Sequence, residues 1–246
     1  MTPKFGLTIS VDAKNWRVSD GLVSTQNAKE HAKILEKAKY TCAGCGFVDK
    51  QYMEVHHVDG NHANNSPENL LPVCHFCHLT QHIGLAGKNK EAIIIWLPEF
   101  SQAVLHHVVR GVLVTNFLAN SAPTNKSPRA RREMEEYKRM ADHAGAIMAS
   151  LQSRTKGAEN MLGTSDPVIL ASVLQKLANE SRETYDKRED YLFGLRLLPT
   201  GKHVVDGKDI MNEVVEGWVG EGGTYSNNLP LVWISKYFGA TRRRTG

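Results

Sequence analysis

Hydrophobic and polar positions change their period several times along this chain. Residues 5–11 alternate, with Leu7, Ile9 and Val11 on one face and Thr8 and Ser10 on the other, which predicts a short strand. Residues 12–15 carry turn chemistry, and Trp16 resumes an apolar contact. Residues 27–40 switch to helical spacing, with Ala32, Ile34, Leu35 and Ala38 on one side. Residues 51–58 read as a strand carrying His56 and His57 near its end, and 59–67 as a loop. A helix is expected at 77–85, a strongly apolar strand at 93–96 and a further helix at 101–118. Residues 121–128 have linker composition, and 129–153 form a charged helix of mixed sign. Asp166 or Ser165 caps a helix at 167–179, residues 192–199 are an apolar run that stops, and 207–218 predict a last helix. The Gly-rich end carries Trp233, Tyr237 and the run Arg242, Arg243, Arg244. No internal repeat or low-complexity tract is present.

Composition narrows the class without naming a function. The 246 residues are 41% hydrophobic, enough for a core, and 23% charged, ordinary for a soluble protein. A formal net charge of +4 is compatible with nucleic acid but equally with a plain solvated surface. Residues 1–10 lack the apolar stretch of an export signal. The longest apolar window, 103–119, is broken by His106, His107, Arg110 and Asn116, so no membrane span is expected. Cysteines confined to two close pairs point to metal in a reducing compartment, and hence to the cytoplasm.

Those pairs are Cys42, Cys45 and Cys74, Cys77. Four thiolates at this spacing close a tetrahedral zinc site with no ligand left over, so the ion is structural. Gly44 and Gly46 let backbone amides turn toward the sulfurs. The bland alternative, four reduced core cysteines, does not account for the paired knuckle spacing. The histidines form a second set. His56 and His57 are strand neighbours and point to opposite faces, so one can bind a metal while the other addresses water. His78 and His82 lie four apart on the expected helix and share a face. His56, His78 and His82 then make a three-histidine site suited to zinc or another borderline ion, with manganese also possible and magnesium more weakly held. The alternatives are strand histidines without metal and an unremarkable surface helix. His62 and His75 read as bystanders, with His75 able to reach a cysteine sulfur, and His106 and His107 take no role. The mixed-sign helix and the terminal arginines are candidate phosphate contacts, or simply solvated charge.

The runs His56-His57-Val58-Asp59-Gly60-Asn61, Glu68-Asn69-Leu70 and Cys74-x-x-Cys77-His78 resemble the HNH, or ββα-metal, endonuclease signature over about residues 42–82. The resemblance implies His57 as general base and Asn69 as the asparagine bracing its loop. It implies His78 and His56 as metal ligands, with His82 as an additional one, and Asn61, Asn64 and Asn65 as loop asparagines. A narrower resemblance rests on Leu7-Thr-Ile-Ser-Val-Asp12, Asn15-Trp16-Arg17, Cys45-Gly46-Phe47, Leu97-Pro98-Glu99-Phe100-Ser101-Gln102 and Gly194-Leu-Arg-Leu-Leu-Pro199. Their order is similar to the IcmJ/DotN proteins of type IVB secretion and related conjugation systems. That likeness implies a cytoplasmic component of the coupling complex beside its ATPase, in a family whose HNH-like fold need not keep the nuclease residues. Here they are kept.

The expectation is therefore an α+β protein. Residues 1–38 supply an N-terminal strand and helix, 39–87 an HNH-like ββα zinc module, 88–200 a strand with a mainly helical region, and 201–246 a helix and basic tail. Two functions fit it: a docking component of a type IV coupling complex, and a metal-dependent nuclease with DNA as partner.

Overall fold

The computed structural model describes residues 6–11, 28–121 and 128–226. The expected turn at 12–15, Trp16, the linker core and the Trp233–Tyr237–arginine end lie outside the described residues. The fold mixes helices with small sheets, and the chain from residue 102 is largely helical.

Residues 6–11 form no strand. Their one ladder-like contact is at Ser10, whose N–H donates to the Thr80 carbonyl at 2.8 Å while its carbonyl accepts from Ile83 N at 3.4 Å. Ile9, Ser10 and Val11 are all buried, so the alternation did not translate into one wet face. Helix α1 (Ala28–Lys37) follows, with Ile34 and Leu35 half-buried but Ala32 exposed. Strand β1 (Met53–His57) lies within the expected range and pairs antiparallel with β2 (Leu70–Cys74). The pattern reading did not assign β2. Its five residues are buried on both faces, so no alternation marks it, and Pro72 argues against a strand from sequence.

The single helix expected at 77–85 is two: α2 (His75–Leu79) and α3 (Ile83–Lys88). Thr80 Oγ1 donates to the Cys77 carbonyl, the Thr80 carbonyl accepts from Ser10, and the chain tightens into i→i+3 bonds at Gln81 and His82. A tertiary partner thus outcompetes helix continuation. Strand β3 (Ala92–Trp96) leads to α4 (Gln102–Asn120), where the Ser101 hydroxyl accepts from Val104 N. Helices α5 (Pro128–Ser153), α6 (Thr155–Leu162) and α7 (Pro167–Glu180) come next. Asp166 is the cap of α7, accepting from Val168 N at 2.8 Å. Short α8 (Arg182–Asp186) and α9 (Arg188–Tyr191) return the chain to β4 (Leu195–Pro199). That apolar run is the antiparallel partner of β3, across about a hundred residues of sequence. A hairpin, β5 (Val204–Val205) and β6 (Lys208–Asp209), turns through Asp206 and Gly207 with φ of 50° and 78°. The last described helix is α10 (Met211–Val219), four residues later in starting than the pattern suggested.

Two apolar clusters hold these elements. One joins Cys42, Phe47, Cys74 and Cys77 to Leu105 and Val109 of α4 and to Val214 and Trp218 of α10. The other joins Ile83 and Ala86 of α3 to Ile94, to Leu170 and Leu174 of α7, and to Leu197. Helix α3 sits so close to α7 that a Cβ on Gly87 would lie 2.8 Å from Val168 Cγ2 and 2.9 Å from its amide nitrogen. The β1–β2–α2 segment gives Met53, Val73 and Phe76 to the first cluster and Leu79 to the second, so both fix it.

Candidate metal centres and histidine cleft

The cysteines come together from two places. Cys42 and Cys45 sit on a loop closed by Cys42 N–H to the Phe47 carbonyl at 2.8 Å, and Gly46 takes φ of 73° to make that turn. Cys74 ends β2 and Cys77 lies on α2. Their Sγ atoms all lie within 4.8 Å of one another, and Cys45 and Cys74 approach to 3.6 Å. Metal–sulfur bonds of about 2.3 Å in a tetrahedron put neighbouring sulfurs about 3.8 Å apart, so the four residues fit one ion. Gly44 N–H donates to Cys42 Sγ at 3.4 Å, whereas Gly46 N–H goes to the Cys42 carbonyl. Hydrogen bonds from the other three cysteines pull the Cys45 thiol well below its ordinary pKa. Cys74 and Cys77 shift the opposite way in the same cluster, and a bound divalent ion would deprotonate all four.

Helix α4 supplies what sequence reasoning missed here. Arg110 is 1% exposed, and its Nη2 donates to Cys74 Sγ at 2.7 Å. Its guanidinium lies over the Phe47 ring, 4.1 Å from the centroid. Four thiolates around a divalent ion leave a net double negative charge, and Arg110 offsets part of it inside the core. His106 meets Cys77 Sγ at 3.4 Å through Nδ1, and His107 Nε2–H donates to the Cys45 carbonyl at 2.9 Å. These two histidines, given no role from the sequence, therefore stand against the cysteine cluster. His106 lies 29 residues from Cys77 and His107 62 from Cys45, and only the packing of α4 closes those gaps. Burial holds His106 down to about 4, so it is neutral.

The histidines occupy the other side of β1–β2–α2. His56 and His57 face opposite ways, as the pleat requires. The His56 ring lies 5.4 Å from His78 and 5.6 Å from His82, and those two are 4.6 Å apart. One nitrogen from each falls within 4.8 Å of the others, so the trio can hold an ion. His78 and His82 meet although the helix between them is broken, because the tight turn carries His82 back toward α2. Burial first, and neighbouring histidines second, hold His56 down to about 3 and His82 well below its usual value. Neutral imidazoles are the ligating form.

His57, 4% exposed, points toward His62, with ring centroids 4.8 Å apart. Its Nε2–H donates to Asn65 Oδ1 at 3.2 Å, which puts the lone pair on Nδ1. Asn69 closes the loop that follows. Its Nδ2 donates to Asp59 Oδ1 and to the Asn64 carbonyl, both at 2.9 Å. Its Oδ1 accepts from Asp59 N–H and its carbonyl from Val58 N–H, also at 2.9 Å. Asn61 Oδ1 accepts from Ala63 N–H, inside the same loop. A cleft of about 150 Å³, roughly five water volumes, is lined by His56, His57 and His82 together with Arg182, Tyr185 and Arg188. The last three come from α8–α9 and were not legible as neighbours of the motif. Tyr185 anchors that wall by donating to the Val11 carbonyl at 3.0 Å and accepting from Val11 N–H at 3.1 Å.

His75 does not reach a cysteine sulfur. Its two ring nitrogens donate to Glu54 Oε1 at 2.8 Å and Glu91 Oε1 at 3.0 Å. Among the described residues no helix is long and apolar enough to cross a membrane.

No protein-family model matches the chain. It is 38% identical over 86 residues to the Zorya protein ZorE of Escherichia coli, covering 32% of this chain and 23% of ZorE. It is 28% identical over 192 residues to the type 4 apparatus protein DotN of Legionella pneumophila, covering 76% of this chain and 79% of DotN. Over most of both lengths, then, the chain is similar to DotN.

Proposed function

We propose that this chain is a cytoplasmic component of a type IVB secretion or conjugation apparatus, docked in the coupling complex beside its ATPase, and built on a zinc-bearing HNH-like module. The observation that carries this reading is the likeness to a type 4 apparatus protein across three quarters of the chain. Helix α7 also turns Ile169 and Val173, one helical turn apart, to solvent at 51% and 58% exposure, as a docking face would. Zinc in the four-cysteine site would fix the loop at Cys42 and Cys45 to the β2–α2 junction. Co-purification of the tagged full-length chain with the coupling ATPase encoded in the same genome tests the role. Co-elution in a defined ratio is expected, and two separate peaks at micromolar concentration would remove it.

A second activity is favoured by the histidine geometry: metal-dependent cleavage of DNA phosphodiester bonds. When bound at His56, His78 and His82, a zinc, manganese or magnesium ion supplies charge to neutralise the phosphate and the leaving oxygen. His57 stands on the opposite strand face with its lone pair on Nδ1, and accepts the proton of the attacking water. Asn69 keeps the 58–69 loop, and so that imidazole, in place. Arg182 and Arg188 bring positive charge to the cleft wall. The test is nicking of supercoiled plasmid with each ion, beside His57→Ala. Loss of a general base lowers the rate about 10²–10⁴-fold. Folded, metal-loaded wild type that nicks with none of the ions would leave the docking role alone.

A further inference from the structure

Behind the three histidines lies a polar chain, half-buried at Glu54 and fully buried at Glu91, that neither the motif nor the cleft uses. Glu54 and His56 are two apart on β1 and share its face. His75 and His78 are three apart on α2 and share a side. The two elements are packed together, so one carboxylate meets both rings: Glu54 Oε2 accepts from His78 Nδ1–H, and Oε1 accepts from His75 Nδ1–H at 2.8 Å. His75 passes the chain on through Nε2–H to Glu91 Oε1 at 3.0 Å. Glu91 is 1% exposed and is itself held by Val204 N–H at 2.7 Å and Asn89 Nδ2 at 3.0 Å. The His203 ring stacks on His75 at 3.6 Å and 15°.

We propose that Glu54 is the positioning carboxylate of the three-histidine site, fixing His78 with its proton on Nδ1 and leaving Nε2 as the nitrogen offered to an ion, while His75 and Glu91 lock the carboxylate in place. This inference rests on the histidine site of the proposed function. A carboxylate behind a ligating imidazole fixes the tautomer and raises its basicity.

Glu54, His75 and His203 also bring ligand atoms within 4.8 Å of one another, which suggests a second ion. The hydrogen bonds argue otherwise. Both nitrogens of His75 donate to carboxylates, and the two rings lie face to face instead of converging on a point.

The test is Co²⁺ titration of the full-length protein with its cysteine site already filled, followed by calorimetry and visible absorption. Glu54→Gln keeps the shape and removes the charge. It is expected to weaken Co²⁺ binding about 10–100-fold with unchanged stoichiometry, and His203→Phe to leave both affinity and stoichiometry as they were. Nitrogen-15 shifts of His78 in the wild type provide a readout independent of any variant's folding, and the Nδ1–H tautomer is expected. Equal affinity in folded Glu54→Gln, or an Nε2–H tautomer at His78, would overturn the proposal. Loss of a whole Co²⁺ equivalent in His203→Phe would overturn it in favour of a second ion. No Co²⁺ binding by the wild type would overturn it along with the histidine site. Weakened binding in a protein that never nicks DNA would support the positioning role and remove only the nuclease reading.

Discussion

The four-cysteine cluster and the three-histidine cluster share β1, β2 and α2, yet their surroundings have opposite sign. Behind the sulfurs stands a buried cation, Arg110, with Nη2 at 2.7 Å from Cys74. Behind His78 stands a half-buried anion, Glu54. The difference follows from what each donor set lacks. Thiolates bring more negative charge than one ion cancels, so a cation nearby lowers the cost of burying them. Neutral imidazoles bring none, so a carboxylate behind them strengthens their hold. Exposure differs in the same sense. The sulfurs are packed among Phe47, Leu105 and Trp218, and the histidines border a cleft. A full, enclosed shell stabilises; an open one leaves room for a ligand.

Removing a sulfur ligand strikes that comparison hardest. Cys42→Ser is expected to lose the ion of the cysteine site and unfold the surrounding module, because metal binding and folding are one equilibrium there. Metal analysis and circular dichroism read it, and a soluble Cys42→Ser protein that keeps its full metal content would refute the four-cysteine assignment. Next comes Arg110→Met, which keeps bulk and removes charge. Leaving the thiolates without their buried cation should cost about 3–5 kcal/mol in urea unfolding. Co²⁺ affinity at the histidines should not move, and a parallel fall there would show that the two sites are not separately tuned. Smallest is Asn69→Ala. Stranding the loop groups it holds should cost about 1–3 kcal/mol, read as faster amide exchange across residues 58–69. Cysteine-site metal should stay in place, while any DNA nicking falls with the loop.

How much of this could be read from the chain depended on distance along it. Residues near one another in sequence declared themselves: CxxC spacing, the opposite facing of His56 and His57, the cap Asp166, and the helices expected at 101–118 and 167–179, observed at 102–120 and 167–180. The break between α2 and α3 was illegible because the carbonyl of Thr80 is taken by Ser10, seventy residues upstream. Strand β2 was hidden by burial on both faces, which erases the period-two signal.

Local sequence determined which donor atoms exist and at what spacing, since ligand chemistry and the periods of strand and helix are properties of a few consecutive residues. Only the tertiary structure decided what stands behind those donors. Arg110 and His106 arrive on α4, Glu91 from the turn before β3, and Arg182, Tyr185 and Arg188 from α8–α9. No periodicity links them to the motif. They are brought there by the burial of the faces of α4, α7 and α10, which is non-directional and leaves no signature between residues far apart in the chain.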